Sequence, residues 1–164
     1  MQLTGKEIIE KGIISNYIEE GIQQQGVDVR VKSISKVQCT SPGVVPAHGK
    51  TKIPKTDFIQ PVNNIYNLQP GYYELVLEEG CAVPPNATLH FKTRSSLVRC
   101  GSQIFSGQFD AGFNTSNMGC FLYVTIPINI EVGARVAQAL VFETNIVDNL
   151  YDGQWQNDSQ RTTK

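Results

Sequence analysis

The chain has 164 residues, of which 14 are Lys or Arg and 15 are Asp or Glu, giving a net charge of −1. This length suits a single domain over residues 1–164. A near-neutral chain has no global field to attract nucleic acid or an anionic membrane, so any anion site must be local. No apolar run reaches the ~20 residues of a membrane span, and the N-terminus lacks the pattern of a signal peptide. The sequence therefore predicts a cytoplasmic protein without nucleic-acid or membrane partners.

The predicted elements begin with one short N-terminal helix and continue as strands. Thr4 and Glu7 form a capping box, and Gly12 can end the helix that follows. The rest of the chain carries short β-rich runs separated by Gly, Pro and Asn turns, a pattern typical of a β-sandwich or barrel. The predicted strands cover Val27–Val31, Tyr72–Glu79, Thr88–Lys92, Cys120–Ile130 and Ala134–Phe142.

Two segments do not follow the strand pattern. The stretch Gln38–Lys55 contains Pro, Gly and Lys residues and is predicted to be a long loop. Residues 148–164 form a polar tail that carries the only tryptophan of the chain, Trp155. A tryptophan in a polar tail indicates that the tail docks on the rest of the protein.

The stretch RSSLVRCG places two arginines and two hydroxyls between two predicted strands. Ser95 or Ser96 can cap a short helix, and Gly101 can end it. A helix start with unpaired N–H groups, Arg94, Arg99 and the serine hydroxyls is a credible phosphate cradle. The alternative is a capped connecting helix whose arginines pair with surface carboxylates.

Three further polar residues each leave two interpretations open. Asp110 stands between aromatic residues in SGQFDAGF and is either a general base or an Asp that caps its own turn. Gln138 lies in an apolar strand, where its amide must bond either the neighbouring backbone or a ligand. Asp28 within VDVRV raises the same question, with pairing to an arginine as the simpler reading.

Taken together and in chain order, these stretches resemble the superfamily of dCTP deaminases and trimeric dUTPases. The resemblance rests on QGVDVRV, YNLQPGYYELVLEE, RSSLVRCG, FDAGF, GARVAQALVF and YDGQWQ, of which RSSLVRCG is the most specific. It implies a mainly β, distorted barrel or jelly-roll-like dUTPase-type fold with a short N-terminal helix. It also implies a homotrimer whose active sites lie between subunits. The loop Gln38–Lys55 is not covered by the resemblance.

The resemblance implies roles for individual residues. Asp110 would hold the sugar 3′-hydroxyl and, in the hydrolases, the attacking water, which makes it the catalytic residue. Phe113 would pack on the deoxyribose, and Tyr151 would belong to the tail, residues 148–164, that closes over the nucleotide. Mg²⁺ would sit on the phosphate oxygens with few or no protein ligands, so no metal-binding residues are predicted. The predicted phosphate-binding residues are Arg94, Ser95, Ser96, Arg99, Gln138, Gln154 and Gln156, with Gln154 in the place of a lysine of many deaminases.

Two reactions of this superfamily compete for the chain: deamination at C4 of cytosine and hydrolysis at the α-phosphorus of dUTP. Zinc-dependent deamination needs H-x-E and P-C-x-x-C motifs, and neither is present. The zinc-free deaminases of the superfamily use a glutamate on the strand after the D-x-G-[FWY] turn. Aligned on Gly119, that position falls at Val124, and Glu131 is the only nearby glutamate. Valine cannot shuttle protons.

The stretch GQFD is similar to the glycine–x–apolar–Asp of dUTPases, whereas RSSLVRCG and the N-terminus are deaminase-like. We therefore predict a protein of deaminase lineage that hydrolyses dUTP to dUMP and pyrophosphate with Mg²⁺. One alternative is a mono- or bifunctional dCTP deaminase that makes dUTP or dUMP from dCTP. The other is a non-catalytic, nucleotide-binding regulatory homologue.

Overall fold

The computed structural model describes residues 1–40 and 42–158. Strands dominate it, and only two short α-helices are described, together with single 3₁₀ turns at Glu19–Gly21 and Gln156–Asp158. No helix in these described residues is long and apolar enough to cross a membrane. In chain order the elements are α1 (Gly5–Glu10), β1 (Ile14–Ser15), β2 (Ile22–Gln23), β3 (Gly26–Val37), β4 (Thr56–Phe58), β5 (Ile65–Leu68), β6 (Gly71–Leu77), β7 (Gly80–Ala82), β8 (Ala87–Thr93), α2 (Ser95–Arg99), β9 (Ser102–Phe105), β10 (Asn114–Thr115), β11 (Gly119–Val124), β12 (Ile128–Glu131) and β13 (Arg135–Glu143).

The main sheet is antiparallel and nearly closes on itself. Its strands run in the order β8-β13-β3-β6-β11-β9, and β2 and β4 also pair with β3. The two outer strands meet where the Ile104 amide donates to the Thr93 hydroxyl oxygen at 3.0 Å. Two small sheets, β1-β7-β10 and β12-β5, lie beside the main one. This architecture confirms the prediction of a mainly β, barrel-like fold.

The core lies inside the curved sheet and follows from the strand alternation. On β6, Tyr73, Leu75 and Leu77 are buried, whereas the residues between them are more exposed. Because side chains alternate across a strand, one face of β6 packs inward and the other faces outward. Ile8 of α1 is also completely buried and joins the same core.

The N-terminal helix forms as its sequence predicts. The Thr4 hydroxyl accepts a hydrogen bond from the Glu7 amide at 3.3 Å, and the Glu7 carboxylate accepts one from the Thr4 amide at 2.8 Å. The helix ends at Glu10, and Gly12 follows with φ of +65°. Both capping predictions are therefore confirmed.

The predicted strand Cys120–Ile130 is wrong as a single element. Strand β11 ends at Val124, and β12 begins at Ile128 in a different sheet. Between them the Thr125 amide donates to the Gly101 carbonyl at 3.0 Å and leaves the strand pairing. Pro127 then has no N–H with which to continue a ladder. The apolar run therefore serves two sheets.

The predicted serine cap of the second helix is also wrong. The N-cap position of α2 is Arg94, and no side chain caps the helix. Ser95 is already the first helical residue, and the Arg94 side chain is engaged by the buried Asp28 carboxylate. At the other end, Gly101 has φ of +70° and follows the cap residue Cys100, as predicted.

Candidate active site

A buried carboxylate organises the residues around the start of α2. Asp28 on β3 is only 2% exposed. Its Oδ2 lies 3.2 Å from Nε of Arg94 and 3.3 Å from Nη1 of Arg135. Gln138 pairs with Asp28 in the β13–β3 ladder, and its amide donates to Asp28 Oδ1 at a long 3.5 Å. The structure therefore pairs Asp28 with arginines, and the Gln138 side chain contacts the same carboxylate.

The electrostatics of this cluster leave surplus positive charge beside α2. Burial raises the pKa of the Asp28 carboxyl, and the charges of Arg94 and then Arg135 oppose that rise. Two guanidinium groups face one carboxylate, so the cluster carries a net positive charge even with Asp28 ionised. Sequence reasoning missed Arg135, which lies opposite Arg30 in the β13–β3 ladder and whose side chain reaches Asp28.

The α2 helix presents three of the predicted phosphate-binding residues to solvent. Ser95, Ser96 and Arg99 are all exposed. Within the described part of the chain, their side chains make no hydrogen bond or ion pair. A permanently charged, unpaired arginine beside two hydroxyls can bind an anion without first breaking another contact.

The predicted catalytic residue, Asp110, lies on an exposed turn that β8 holds in position. Phe109 bonds Leu89 of β8 through both backbone groups, each at 3.0 Å. The Gln108 amide donates to Asp110 Oδ1 at 2.8 Å and so fixes the orientation of the carboxylate. Sequence reasoning missed Gln108, although it stands two residues before Asp110 in GQFD.

An aromatic cavity of about 290 Å³ opens beside this turn. The Phe113 ring contacts Phe109 and Tyr151 edge to face, with ring centroids 5.3 Å apart in each pair. The described residues that line the cavity include no Lys or Arg. They are Ile53, Glu74, Gly107, Gln108, Phe109, Phe113, Thr115, Gly119, Cys120, Phe121, Tyr151 and Trp155.

The tail packs on the same subunit and walls one side of the cavity. Gln156 accepts from the Asn114 amide at 2.8 Å and donates to the Gly112 and Tyr151 carbonyls at 2.8 and 2.9 Å. Gln154 accepts from the Thr51 amide at 3.0 Å and donates to the Thr51 carbonyl at 2.8 Å. Both amides thus bond backbone groups in this conformation. Of the predicted tail, residues 159–164 lie outside the described residues.

The close approach of tail and turn requires a glycine. Gly112 has φ of +88°, and a Cβ there would lie 2.7 Å from the Leu150 Cβ. The tail is secured next to it by the Tyr151 amide, which donates to the Ala111 carbonyl at 2.8 Å. Gly112 thus meets both a backbone and a packing requirement.

The predicted site residues form two groups within one chain. Asp110, Phe113 and Tyr151 lie together near the start of β8, whereas Arg94 and the α2 residues follow its end. Leu89 and Arg94 are five residues apart, which is about 16 Å along a strand. No cation lines the aromatic cavity among the residues that the structure describes, and Arg94 and Arg99 lie beyond the far end of β8, so the two groups are separate within the chain.

Neither Val124 nor Glu131 supplies the glutamate that the zinc-free deaminases use. Val124 is completely buried in β11, and Glu131 is exposed at the end of β12. Glu74 of β6, which sequence reasoning did not single out, is the carboxylate that lines the aromatic cavity. In the described residues, no group of three or more His, Cys, Asp or Glu side chains could hold a metal ion.

Comparison with known proteins identifies relatives over most of the chain. A probable deoxyuridine 5′-triphosphate nucleotidohydrolase of Aeropyrum pernix is 30% identical over 161 residues, which is 96% of this chain and 99% of the relative. A protein of the same name from Halobacterium salinarum is 34% identical over 149 residues, or 88% of each chain.

The fold has a solved counterpart. The crystal structure of 2′-deoxycytidine 5′-triphosphate deaminase from Agrobacterium tumefaciens superposes with a TM-score of 0.62 over 85% of this chain and 47% of that one. At 16% identity, this likeness establishes the fold alone. The family model described as dCTP deaminase-like matches residues 3–145. The chain therefore belongs to the dCTP deaminase-like family, as its motifs predict.

Proposed function

We propose that the protein is a dUTP diphosphatase, which hydrolyses dUTP to dUMP and pyrophosphate. The observation that carries the proposal is the exposed, oriented carboxylate of Asp110 beside an aromatic cavity, with Val124 in the position of the deaminase glutamate. The names of the relatives from Aeropyrum pernix and Halobacterium salinarum support the same reaction.

Asp110 is the general base of the proposed reaction. Its carboxylate accepts a proton from a water molecule as the water oxygen attacks the α-phosphorus. The bond between the α-phosphorus and the bridging oxygen to the β-phosphate breaks, and pyrophosphate leaves. Gln108 is a positioning residue, because its amide bonds Oδ1 of Asp110 and directs the carboxylate. A fixed base reduces the entropy that the step must lose.

The triphosphate is bound by the residues around α2. Arg99, Ser95 and Ser96 bind it directly, because their side chains are exposed and without partners in the described residues. Arg94 and Gln138 form the second part of this site, where Asp28 holds both side chains in position. Gln154 and Gln156 can reach a phosphate only after they release their backbone partners.

Mg²⁺ enters the site on the substrate. Phosphate oxygens and water would hold the ion, because Mg²⁺ dehydrates reluctantly and is commonly bound through substrate phosphates. When bound, it neutralises negative charge on the phosphates. The protein then has to bind and orient the complex rather than coordinate the metal.

The aromatic cavity binds the nucleoside. Phe113 packs on the deoxyribose where a 2′-hydroxyl would not fit, and Tyr151 contacts the Phe113 ring edge to face. Apolar walls with few polar groups are typical of small-molecule sites.

The proposal is tested by measuring pyrophosphate release from dUTP with Mg²⁺. Release above the uncatalysed rate supports it, and the absence of release would contradict it.

We propose a homotrimer with shared sites, as the family resemblance implies, and the separation of the two groups supports it. The nucleoside cavity has no cationic lining in the described residues, so we assign the phosphate-binding cations to another subunit. Light scattering coupled to size exclusion should give three times the chain mass. A monomer at micromolar concentration would contradict the shared site.

Subunit mixing tests the shared site directly. Asp110→Asn and Arg99→Ala each remove one half of every site, and both homotrimers should have low activity. If Asp110 and Arg99 of one site come from different subunits, unfolding and refolding the variants together creates some sites with both native residues. We expect the mixture to be more active than either variant. Activity equal to the average of the separate variants would indicate a site within one chain.

The tail should strengthen nucleotide binding, and the fluorescence of its tryptophan should change when the nucleotide binds. Trp155 lines the cavity, and it is the only tryptophan of the chain. We expect its fluorescence to change when a non-hydrolysable dUTP analogue is added with Mg²⁺. Truncation after Leu150 should raise KM because it removes the cavity walls formed by Tyr151 and Trp155. Truncation after Asp158 is the matched control. No fluorescence change, together with full activity after truncation at Leu150, would contradict a closing role.

A further inference from the structure

One charged side chain projects into the aromatic cavity. Glu74 lies on β6 and pairs in register with Phe121 of β11. Its neighbours Tyr73 and Leu75 point into the core, so Glu74 points to the outer face, where it lines the cavity. None of the other described lining residues is a carboxylate or a cation.

The Glu74 carboxylate has unmet hydrogen-bonding capacity. Within the described residues it makes no hydrogen bond or ion pair. Aromatic rings border it, including Phe121, which stacks on Tyr72 with centroids 5.1 Å apart and planes 4° apart. Glu74 is half-buried, and a ligand that displaces water from the cavity must replace the hydrogen bonds that the carboxylate makes to water, because a carboxylate left without a donor is costly. The cavity is therefore suited to a ligand that is flat, largely apolar and carries an N–H donor.

We propose that Glu74 is the residue that selects uracil over cytosine, by accepting a hydrogen bond from N3–H of the base. The inference rests on the proposed function. In uracil N3 carries a hydrogen and is a donor, whereas in cytosine N3 is an acceptor. A carboxylate facing N3 bonds uracil and is repelled by the lone pair of cytosine. With Phe113 on the deoxyribose, the rings of Tyr151 and Trp155 provide surfaces on which a base can pack.

The charge of Glu74 also sets the direction in which the nucleotide binds. Because like charges repel, the triphosphate is kept out of the cavity and directed away from Glu74. The base enters first, and the phosphates remain at the mouth, where a neighbouring subunit can supply Arg99. The same carboxylate therefore contributes to both specificity and orientation.

The test uses binding rather than turnover, so that it does not depend on hydrolysis. Trp155 fluorescence is titrated with dUMP and with dCMP for the wild type, Glu74→Gln and Glu74→Ala. Glu131→Gln is the matched control, because Glu131 is exposed and lies outside the cavity lining. Thermal unfolding of each variant checks that the fold is retained.

We expect the wild type to bind dUMP more tightly than dCMP. Both Glu74 variants should weaken dUMP binding by about ten- to a hundredfold, the range for a hydrogen bond to a charged group. The Kd of dCMP should stay the same or fall, and the control should match the wild type. An equal loss for both ligands, or no loss for dUMP, would overturn the inference.

Turnover assays separate this inference from the proposed function. If the wild type releases no pyrophosphate from dUTP but still prefers dUMP through Glu74, the proposed hydrolysis is wrong. The assignment of Glu74 as the residue that selects uracil is then retained. If pyrophosphate is released and Glu74→Gln binds both ligands as the wild type does, only the inference fails. Ammonia release from dCTP that disappears in Glu74→Gln would also overturn it, because Glu74 would then carry protons for deamination.

Discussion

Asp110→Asn lowers kcat for dUTP hydrolysis by about 10²–10⁴-fold, the usual contribution of a general base. Asparagine keeps the size of the side chain and an oxygen that can still accept from Gln108, but it cannot take a proton from water. The loss should therefore appear mainly in kcat, with a smaller change in KM. Steady-state pyrophosphate release with Mg²⁺ measures both constants.

Asp57→Asn is the matched control for this substitution. Asp57 lies on β4, and its Oδ1 accepts from Gln38 at 2.8 Å, a bond that asparagine can also accept. The control should retain the wild-type kcat. If Asp110→Asn were as active as the control, Asp110 would not be the base, and the exposed turn that carries it would have only a structural role.

Glu79→Ala destabilises the protein by about 3–5 kcal/mol, the usual result of removing one partner of a buried ion pair. The Glu79 side chain is completely buried, and its Oε1 accepts from Nε of Arg30 at 2.6 Å. Its Oε2 accepts from the Arg30 backbone amide at 2.7 Å. Burial raises the pKa of the Glu79 carboxyl, and its bonds to Arg30 oppose that rise. Alanine leaves Arg30 without these acceptors.

Urea unfolding at one fixed protein concentration measures the effect, since the stability of the proposed homotrimer would depend on concentration. Glu78→Ala is the control, because the neighbouring side chain is half-buried and makes no hydrogen bond or ion pair in the described residues. We expect a midpoint close to that of the wild type for the control and a much lower one for Glu79→Ala. Equal midpoints for the two variants would show that the Arg30–Glu79 pair does not stabilise the fold.

Local patterns were sufficient to predict the elements that local physics determines. The capping box of Thr4 and Glu7 predicts α1 because the cap is formed within one turn. Alternation in VDVRV predicts part of β3, and short β-rich runs between turns predict β6, β8 and β13. The alternating pattern does not show that Asp28 is buried as well. The sequence also predicts that Asp110 lies in a turn. It assigns both Phe113 and Tyr151 to the nucleoside site, and the structure brings their rings into contact.

Contacts between distant segments could not be read from local patterns. The bonds between Gln154 and Thr51 join residues 103 positions apart, and Thr51 belongs to a loop that the family motifs do not cover. Arg135 meets Asp28 only through the β13–β3 register. In the sequence Glu74 is an ordinary outward-facing strand residue. Only the folded structure shows that the tail and the loop around Ile53 enclose it in the cavity. The break at Pro127 was missed because the apolar run continues across it.

Product analysis tests the central claim most directly. The protein is incubated with Mg²⁺ and either dUTP or dCTP, and the nucleotides are separated by chromatography while ammonia and pyrophosphate are measured. The account predicts dUMP and pyrophosphate from dUTP and no deaminated product from dCTP, because Val124 cannot pass protons to N3 or to the leaving amine. Ammonia release from dCTP at a rate comparable to dUTP hydrolysis, or unchanged dUTP, would contradict it.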